Sequence, residues 1–355
     1  MDKPFLTIIM PVFKAEKYLN HAVGSILGQT FKDFELILID DGSPDRCGEI
    51  CDEFAAQDER VSVIHFTENK GVRITRNTAM TQAKGRYITF VDADDEIAAN
   101  TYERIYKAVQ DSFPHVVIFG LEERYFDSKQ QLKDTRKITL PERYFSNRKE
   151  LRAYVIELEK STLYGYLWNK LYDAEYIRSH NITIKEYPIA SDFFFNCDFF
   201  MDIETMMVLD MAPYAYNRRI DEGLTSKFFT NFFEIQEERV QSLLNQYEYW
   251  KMCTPEVEKE LAGIYVRYAF AGLLRQFDRR SGANRSARRE WLQKRYDSGL
   301  FKRLIPLTDP DNRVVAALSL LLKGRHTTLS LLTGRLMYVL RNSLPLLFSR
   351  IKQNR

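Results

Sequence analysis

The 355 residues predict an α/β protein, a parallel sheet built from βαβ units that is followed by a helical C-terminal region. Three observations carry this. Short β-branched runs alternate with helical patterns through about the first 120 residues, acidic clusters stand directly after two of those runs, and the last third of the chain reads as helical and basic. With 45% hydrophobic residues, the chain can bury one large domain and a smaller appendage.

The first strand is read over Leu6–Val12. Glu16–Gln29 then places Leu19, Ala22, Val23, Ile26 and Leu27 at i, i+3, i+4, i+7 and i+8, one face of a helix packed on a sheet. After a second strand, Phe34–Ile39, Ser43 can cap a helix with Pro44 in its first turn and Cys47, Ile50, Cys51 and Phe54 as its buried stripe. Val61–Phe66, Tyr87–Val91 and His115–Gly120 complete the series of strands. From about Glu122 to Asn147 the pattern dissolves into polar sequence, which predicts an excursion over the surface, and folded structure resumes near Arg148. Trp168–Tyr172 and Phe193–Phe200 read as partly buried, and Met206–Leu209 as a further strand. Beyond Asn231 the chain is helical, with Val257, Leu261, Ile264, Tyr265, Tyr268, Ala269 and Leu273 in helical period. The domains are expected to be 1–228 and 229–355.

Charge is unevenly placed. Residues 275–355 carry 18 Lys and Arg against 5 Asp and Glu, a net of +13, which leaves −11 on the preceding 274 residues of a chain whose total is +2. Apolar runs at Val314–Leu322, Leu329–Leu332, Leu336–Leu340 and Leu344–Phe348, broken by Lys323, Arg325, Arg335 and Arg341, suit an amphipathic helix in a bilayer interface better than a nucleic-acid-binding arm. No run approaches the roughly 18 apolar residues of a spanning helix. The N-terminus enters a strand pattern without a cleavage region, so the body is expected in the cytoplasm, peripheral on the inner face of the cell membrane. Cys47, Cys51, Cys197 and Cys253 show no CxxC spacing and the five histidines no HExxH, which argues against zinc.

In an open α/β sheet, ligands bind beyond the carboxyl ends of the strands. Asp40-Asp41-Gly42-Ser43 follows the second strand and Asp92-Ala93-Asp94-Asp95 the fourth. Either alone could be a turn or a helix cap. Together they suggest a hard divalent ion held by one or two carboxylates, with coordination places left for a nucleotide diphosphate. GxGxxG after a strand and GxxxxGK[ST] are both missing, so dinucleotide-binding and P-loop readings lose their main support.

Thr7–Phe13, Ser25–Glu35, Asp40–Ser43, Asn69–Asn77 and Asp92–Asp95 closely resemble the N-terminal half of the family 2 glycosyltransferases, and Trp168–Tyr172, Asp192–Asn196 and Ala215–Phe228 resemble that family's later blocks. The resemblance implies a GT-A (Rossmann-like) fold and, among bacterial members, work on capsule, exopolysaccharide or lipopolysaccharide. It implies that Pro11 and Phe13 line a nucleotide pocket beside Asp41, whose carboxylate meets the base, and that Arg76 approaches the nucleotide or its phosphates. Asp92 and Asp94 become a DxD pair for Mg²⁺ or Mn²⁺, with Asp94 the main ligand, Asp92 assisting and Asp95 a helix cap. Asp192 becomes the catalytic base. Its predecessor is Ser191 where the family usually has an acid, which leaves Glu186 as the fallback, and Arg73 stands where smaller residues are usual.

The activity so implied is inverting transfer from a nucleotide-diphosphate sugar, a UDP-sugar by resemblance, to a glycan or lipid-linked acceptor. Two other readings stay open. A sugar-nucleotide pyrophosphorylase would carry a glycine-rich, Arg-containing loop where this chain has Pro11-Val12-Phe13-Lys14. A non-catalytic nucleotide-sugar-binding or scaffold subunit of a polysaccharide assembly complex would keep the fold without the chemistry.

Overall fold

The computed structural model describes residues 3–219, 228–309 and 313–343. The chain divides into two compact units, Met1–Ser226 and Lys227–Arg355.

The first unit opens with β1 (Leu6–Val12), α1 (Glu16–Leu27), β2 (Phe34–Asp40), α2 (Cys47–Gln57), β3 (Val61–His65), α3 (Val72–Gln82) and β4 (Tyr87–Phe90). Every residue of β1 except Pro11 is buried, as a strand covered on both faces requires. β1 pairs in parallel with β2 from Leu6↔Phe34 to Val12↔Asp40, and on its other side with β4 from Leu6↔Tyr87 to Ile9↔Phe90. β3 extends the parallel set beyond β2. Pairing with β4 stops at Ile9, so Pro11, which has no N–H to give, lies past the last rung of that ladder.

There follow β5 (Glu96–Ile97), α4 (Thr101–Val109), β6 (Val116–Phe126), β7 (Leu132–Ile138), β8 (Arg143–Phe145), α5 (Arg148–Lys160), β9 (Lys170–Asp173), α6 (Ala174–Ser179), α7 (Ser191–Phe199) and β10 (Met206–Arg218). The sheet runs β3-β2-β1-β4-β9-β6-β10-β5, with β7 on β6 and β8 on β10.

Three expectations are corrected or refined here. The sheet is mixed, because β9 is inserted between β4 and β6 and runs antiparallel to both. The polar stretch after Glu122 does run over the surface, but as regular structure: β6 continues to Phe126 and turns back into β7, pairing Leu121↔Ile138 through Phe126↔Leu132. All of β7 but Ile138 is exposed, so it lacks the alternation that marks a half-buried strand. Its turn is held by Asp127, whose Oδ1 accepts from the N–H groups of Lys129 and Gln131. Finally, α2 begins at Cys47 rather than at Ser43. The Ser43 hydroxyl donates to Asp45 Oδ1 at 2.5 Å, and it is Asp45 that receives the N–H of Cys47.

In the second unit, α8 (Phe232–Tyr249) packs on α9 (Pro255–Arg275), which Thr254 caps by accepting from Val257 N with Pro255 in the first turn. A Cβ on Gly272 would meet the Phe233 ring at 2.8 Å, so a residue without a side chain is what lets these helices approach. α10 (Arg285–Asp297), α11 (Gly299–Leu304), α12 (Arg313–Lys323) and α13 (Thr327–Ser343) follow. Among the described residues, no helix is long and apolar enough to cross a membrane. The apolar run Leu344–Phe348 and most of the end of the Ala215–Phe228 block lie outside the described residues.

Candidate active site

The parallel register brings the carboxyl ends of β1, β2 and β4 to one edge, and the chain turns there on hydrogen bonds from Asp41 N to Val12 O (2.9 Å) and from Val91 N to Ile9 O (3.0 Å). Gly42 has φ +63°, and a Cβ there would stand 2.6 Å from the backbone of Glu68. Only glycine fits so close an approach in this conformation.

Asp41 is buried and its carboxylate organises the facing loop. Oδ1 accepts from Lys70 N at 2.7 Å, while Oδ2 accepts from Gly71 N and from Asn69 Nδ2, each at 2.9 Å. Gly71, at φ +85°, then opens α3. Phe13 stands exposed just past β1, with Lys14 Nζ 5.1 Å from its ring centroid, and Pro11 is half-buried. The other acid of the pair, Asp40, faces His65 Nδ1 at 3.1 Å, and Asp52 faces His65 Nε2 at 3.0 Å. These two carboxylates, Asp52 first, raise the imidazole's proton affinity.

From α3, Arg76 reaches back under this edge and is 4% exposed. Its two terminal nitrogens divide between two acids, one donating to Asp92 Oδ1 and the other to Asp192 Oδ1, both at 2.8 Å. One guanidinium thus joins the acid after β4 to the acid in the first turn of α7. Burial by itself would lower the arginine's proton affinity, but Asp192 and Asp92 outweigh it and hold the group charged. For Asp192 burial dominates, lifting the carboxyl above the ordinary range against the pull of Arg76. Asp192 is anchored from below as well: Asn196 Nδ2 donates to its backbone oxygen at 2.9 Å and to Tyr166 O at 3.2 Å. Glu186 lies at the surface, its side chain 86% exposed, 3.6 Å from Arg73 rather than beside Arg76.

The three acids of the 92–95 cluster differ in surroundings. Asp92 is tied to Arg76, and its N–H donates to the Tyr214 hydroxyl at 3.1 Å. Asp94 leaves half of its side chain exposed, with Oδ2 3.6 Å from Arg219. Its backbone oxygen accepts from Asn217 Nδ2 and from Arg219. Asp95 is buried and caps no helix, which corrects that expectation: it is followed by β5, and it accepts from the Tyr214 hydroxyl (3.0 Å) and Asn217 N (2.8 Å) of β10. Burial first, then Asp94 and Asp92, push its carboxyl well above the usual range.

Several residues here were not singled out from the sequence. Lys170 is fully buried, and its Nζ lies 2.6–3.1 Å from the carbonyl oxygens of Leu163, Tyr164 and Tyr166 and from Asn169 Oδ1, fixing the loop that Asn196 ties to Asp192. Trp168 stacks on Tyr214 (4.1 Å between centroids) and Tyr166 on Trp168 (4.4 Å). Arg219 lies with its guanidinium 3.9 Å from the Tyr18 ring centroid. Trp168 and Lys170 fall in the Trp168–Tyr172 block and Arg219 in the Ala215–Phe228 block, whereas Tyr166, Tyr214 and Tyr18 lie outside both.

Among the described residues, no three His, Cys, Asp or Glu groups gather into a protein-only metal cage. An ion that takes one or two carboxylates and completes its shell with phosphate and water needs less, and the half-exposed carboxylate of Asp94, two residues from Asp92, fits that demand.

Residues 7–174 match the family model for glycosyl transferase family 2. An uncharacterized glycosyltransferase of Bacillus subtilis, EpsJ, is 31% identical over 218 residues, 60% of this chain and 61% of its own. The glycosyltransferase GlyA of Streptococcus pneumoniae is 30% identical over 257 residues, 68% of this chain but 35% of its own. The chain therefore spans less than two thirds of the length of these relatives. The crystal structure of S. aureus TarS 1-349 in complex with UDP-GlcNAc shares the fold at TM-score 0.64 and 18% identity, covering 95% of this chain and 92% of that one.

Proposed function

We propose that the chain, whose residues 7–174 match the model of glycosyl transferase family 2 and which has the GT-A fold with added C-terminal helices, is an inverting glycosyltransferase of that family. It moves a sugar from a nucleotide-diphosphate donor, a UDP-sugar, to a hydroxyl of a glycan or lipid-linked acceptor in cell-envelope polysaccharide synthesis. The observation that carries this is the Asp92–Arg76–Asp192 linkage at the carboxyl edge of the sheet, one buried cation joining the proposed base to the acidic cluster that holds the half-exposed Asp94.

In this reading Pro11 and Phe13 flank the base of the nucleotide, and Asp41 shapes that pocket both by its position and through the Asn69–Gly71 loop it holds. Asp94, with Asp92, would hold Mg²⁺ or Mn²⁺. Such an ion supplies the charge that neutralises the departing diphosphate. Asp192 takes the proton from the acceptor hydroxyl as that oxygen bonds to the anomeric carbon from the face opposite the leaving diphosphate, so the bond to the diphosphate breaks and the centre inverts. Burial favours this proton transfer by making Asp192 a stronger base than an ordinary aspartate, while Arg76 keeps it ionised and aimed. The UDP-GlcNAc complex of the fold neighbour supports the donor class, and the basic surplus after residue 275 supports a peripheral position on the inner face of the membrane.

A panel of nucleotide sugars tests the proposal. Nucleotide release should appear with one UDP-sugar and an acceptor, require Mn²⁺ or Mg²⁺, and stop with EDTA. Binding of a nucleotide sugar without turnover under any combination would instead favour a scaffold.

A further inference from the structure

α12 and α13 pack on one another and on α9, burying Leu318, Leu322 and Met337, and a Cβ on Gly334 would meet Leu273 at 2.8 Å. That packing accounts for only part of their apolar surface. On α13, Leu329, Leu332, Leu336 and Val339 fall at i, i+3, i+7 and i+10, one stripe of the helix, and all four face outward. With Leu320 of α12 they are between 49% and 66% exposed. Stray exposed leucines are ordinary, but a stripe in register along three turns marks a face meant to be covered.

Charge says by what. Between residues 313 and 343 there are five Lys and Arg and no Asp or Glu. Arg335 neighbours the stripe on the helical wheel, and Lys302, Lys323 and Arg325 line a hollow floored by Phe301, Ile305 and Pro306. A second copy meeting this face through a two-fold contact would set these cations against their own kind. An anionic bilayer offers acyl chains to the leucines and phosphates to the arginines.

We propose that the outward face of α13, together with Leu320, is a docking surface for an anionic membrane, with the helix lying in the interface. The inference rests on the peripheral location proposed above, but not on the transfer chemistry. Co-sedimentation of the full chain with vesicles of phosphatidylglycerol and phosphatidylcholine, against phosphatidylcholine alone, tests it at several salt concentrations. Binding should need the anionic lipid and weaken with salt. Leu332→Gln with Leu336→Gln should weaken it at least about tenfold. Arg335→Gln should weaken it about fivefold and flatten the salt dependence. These side chains are exposed, so thermal melting should be unchanged, and turnover with a soluble acceptor should be kept. That last readout separates failure of docking from failure of the proposed reaction. Equal binding to both vesicle types, undiminished binding by the double leucine variant, or a dimer in light scattering that this variant dissolves would each overturn the proposal.

Discussion

Arg76 lies on the buried face of α3. With Thr75, Ala79 and Met80 it occupies the buried stripe of α3, a position at which an arginine must find acids or not be tolerated. In the sequence Arg76 is placed by resemblance alone, near the nucleotide or its phosphates. The partners it finds, Asp92 and Asp192, lie 16 and 116 residues away, a pairing no local pattern reveals. Arg76→Met should destabilise the protein by about 2–3 kcal/mol, short of the full cost of an orphaned buried charge because both carboxylates still reach water. It should also move the acid limb of the pH–rate profile to higher pH, since removing the cation removes the influence that lowers the proton affinity of Asp192. An unmoved limb would separate Arg76 from the base. Asp95 gives a second test. Its carboxyl is raised in the folded state, so its contribution to stability is fully present below the unfolded value near 3.8 and is lost as pH rises through the folded value. Denaturant titrations from pH 4 to about 8 should show this decline in the parent relative to Asp95→Asn; parallel curves would contradict it.

The elements were legible to the degree that they are amphipathic or wholly buried. β1, β2 and β4 announced themselves as apolar runs, α1 and α9 as stripes. β7 did not, since an edge strand exposed on both faces has a loop's composition, and β9 did not find its place, since a four-residue strand carries no signal for which neighbours it separates. The turns that end the strands were better marked by glycine. At Gly42 both conformation and space exclude a side chain, whereas at Gly71 the conformation alone resists one and nothing lies within 4 Å. Gly42→Ala should therefore disturb the Asp41 loop and raise the donor KM several-fold, while Gly71→Ala should cost only about 1 kcal/mol with a smaller change in KM. Thermal melts and donor titrations of the two variants check the order; equal effects would mean that the contact with Glu68 does not matter.

Across the whole molecule, the contrast between an acidic body and a basic tail was plain in the sequence, as were both acidic clusters of the site. The resemblance already divides the labour inside the second cluster, with Asp94 as main ligand, Asp92 assisting and Asp95 as a cap; burial and partners also set the three apart, but they tie Asp95 to β10 instead of to a helix. In the proposed reaction the ion falls to Asp94, whose side chain is half exposed. Asp94→Asn should weaken Mn²⁺ binding at least about tenfold in calorimetry with UDP present, and more than Asp95→Asn does. Comparable loss in both variants would contradict that division.

The central claim is that one carboxylate, held by Arg76 beside the diphosphate site, performs the proton transfer. Its most direct measurement is turnover and UDP affinity of Asp192→Asn in parallel. The account predicts that kcat falls by about 10²–10⁴ while the Kd for UDP with Mn²⁺ stays within about twofold. Turnover within a few-fold of the parent would contradict it.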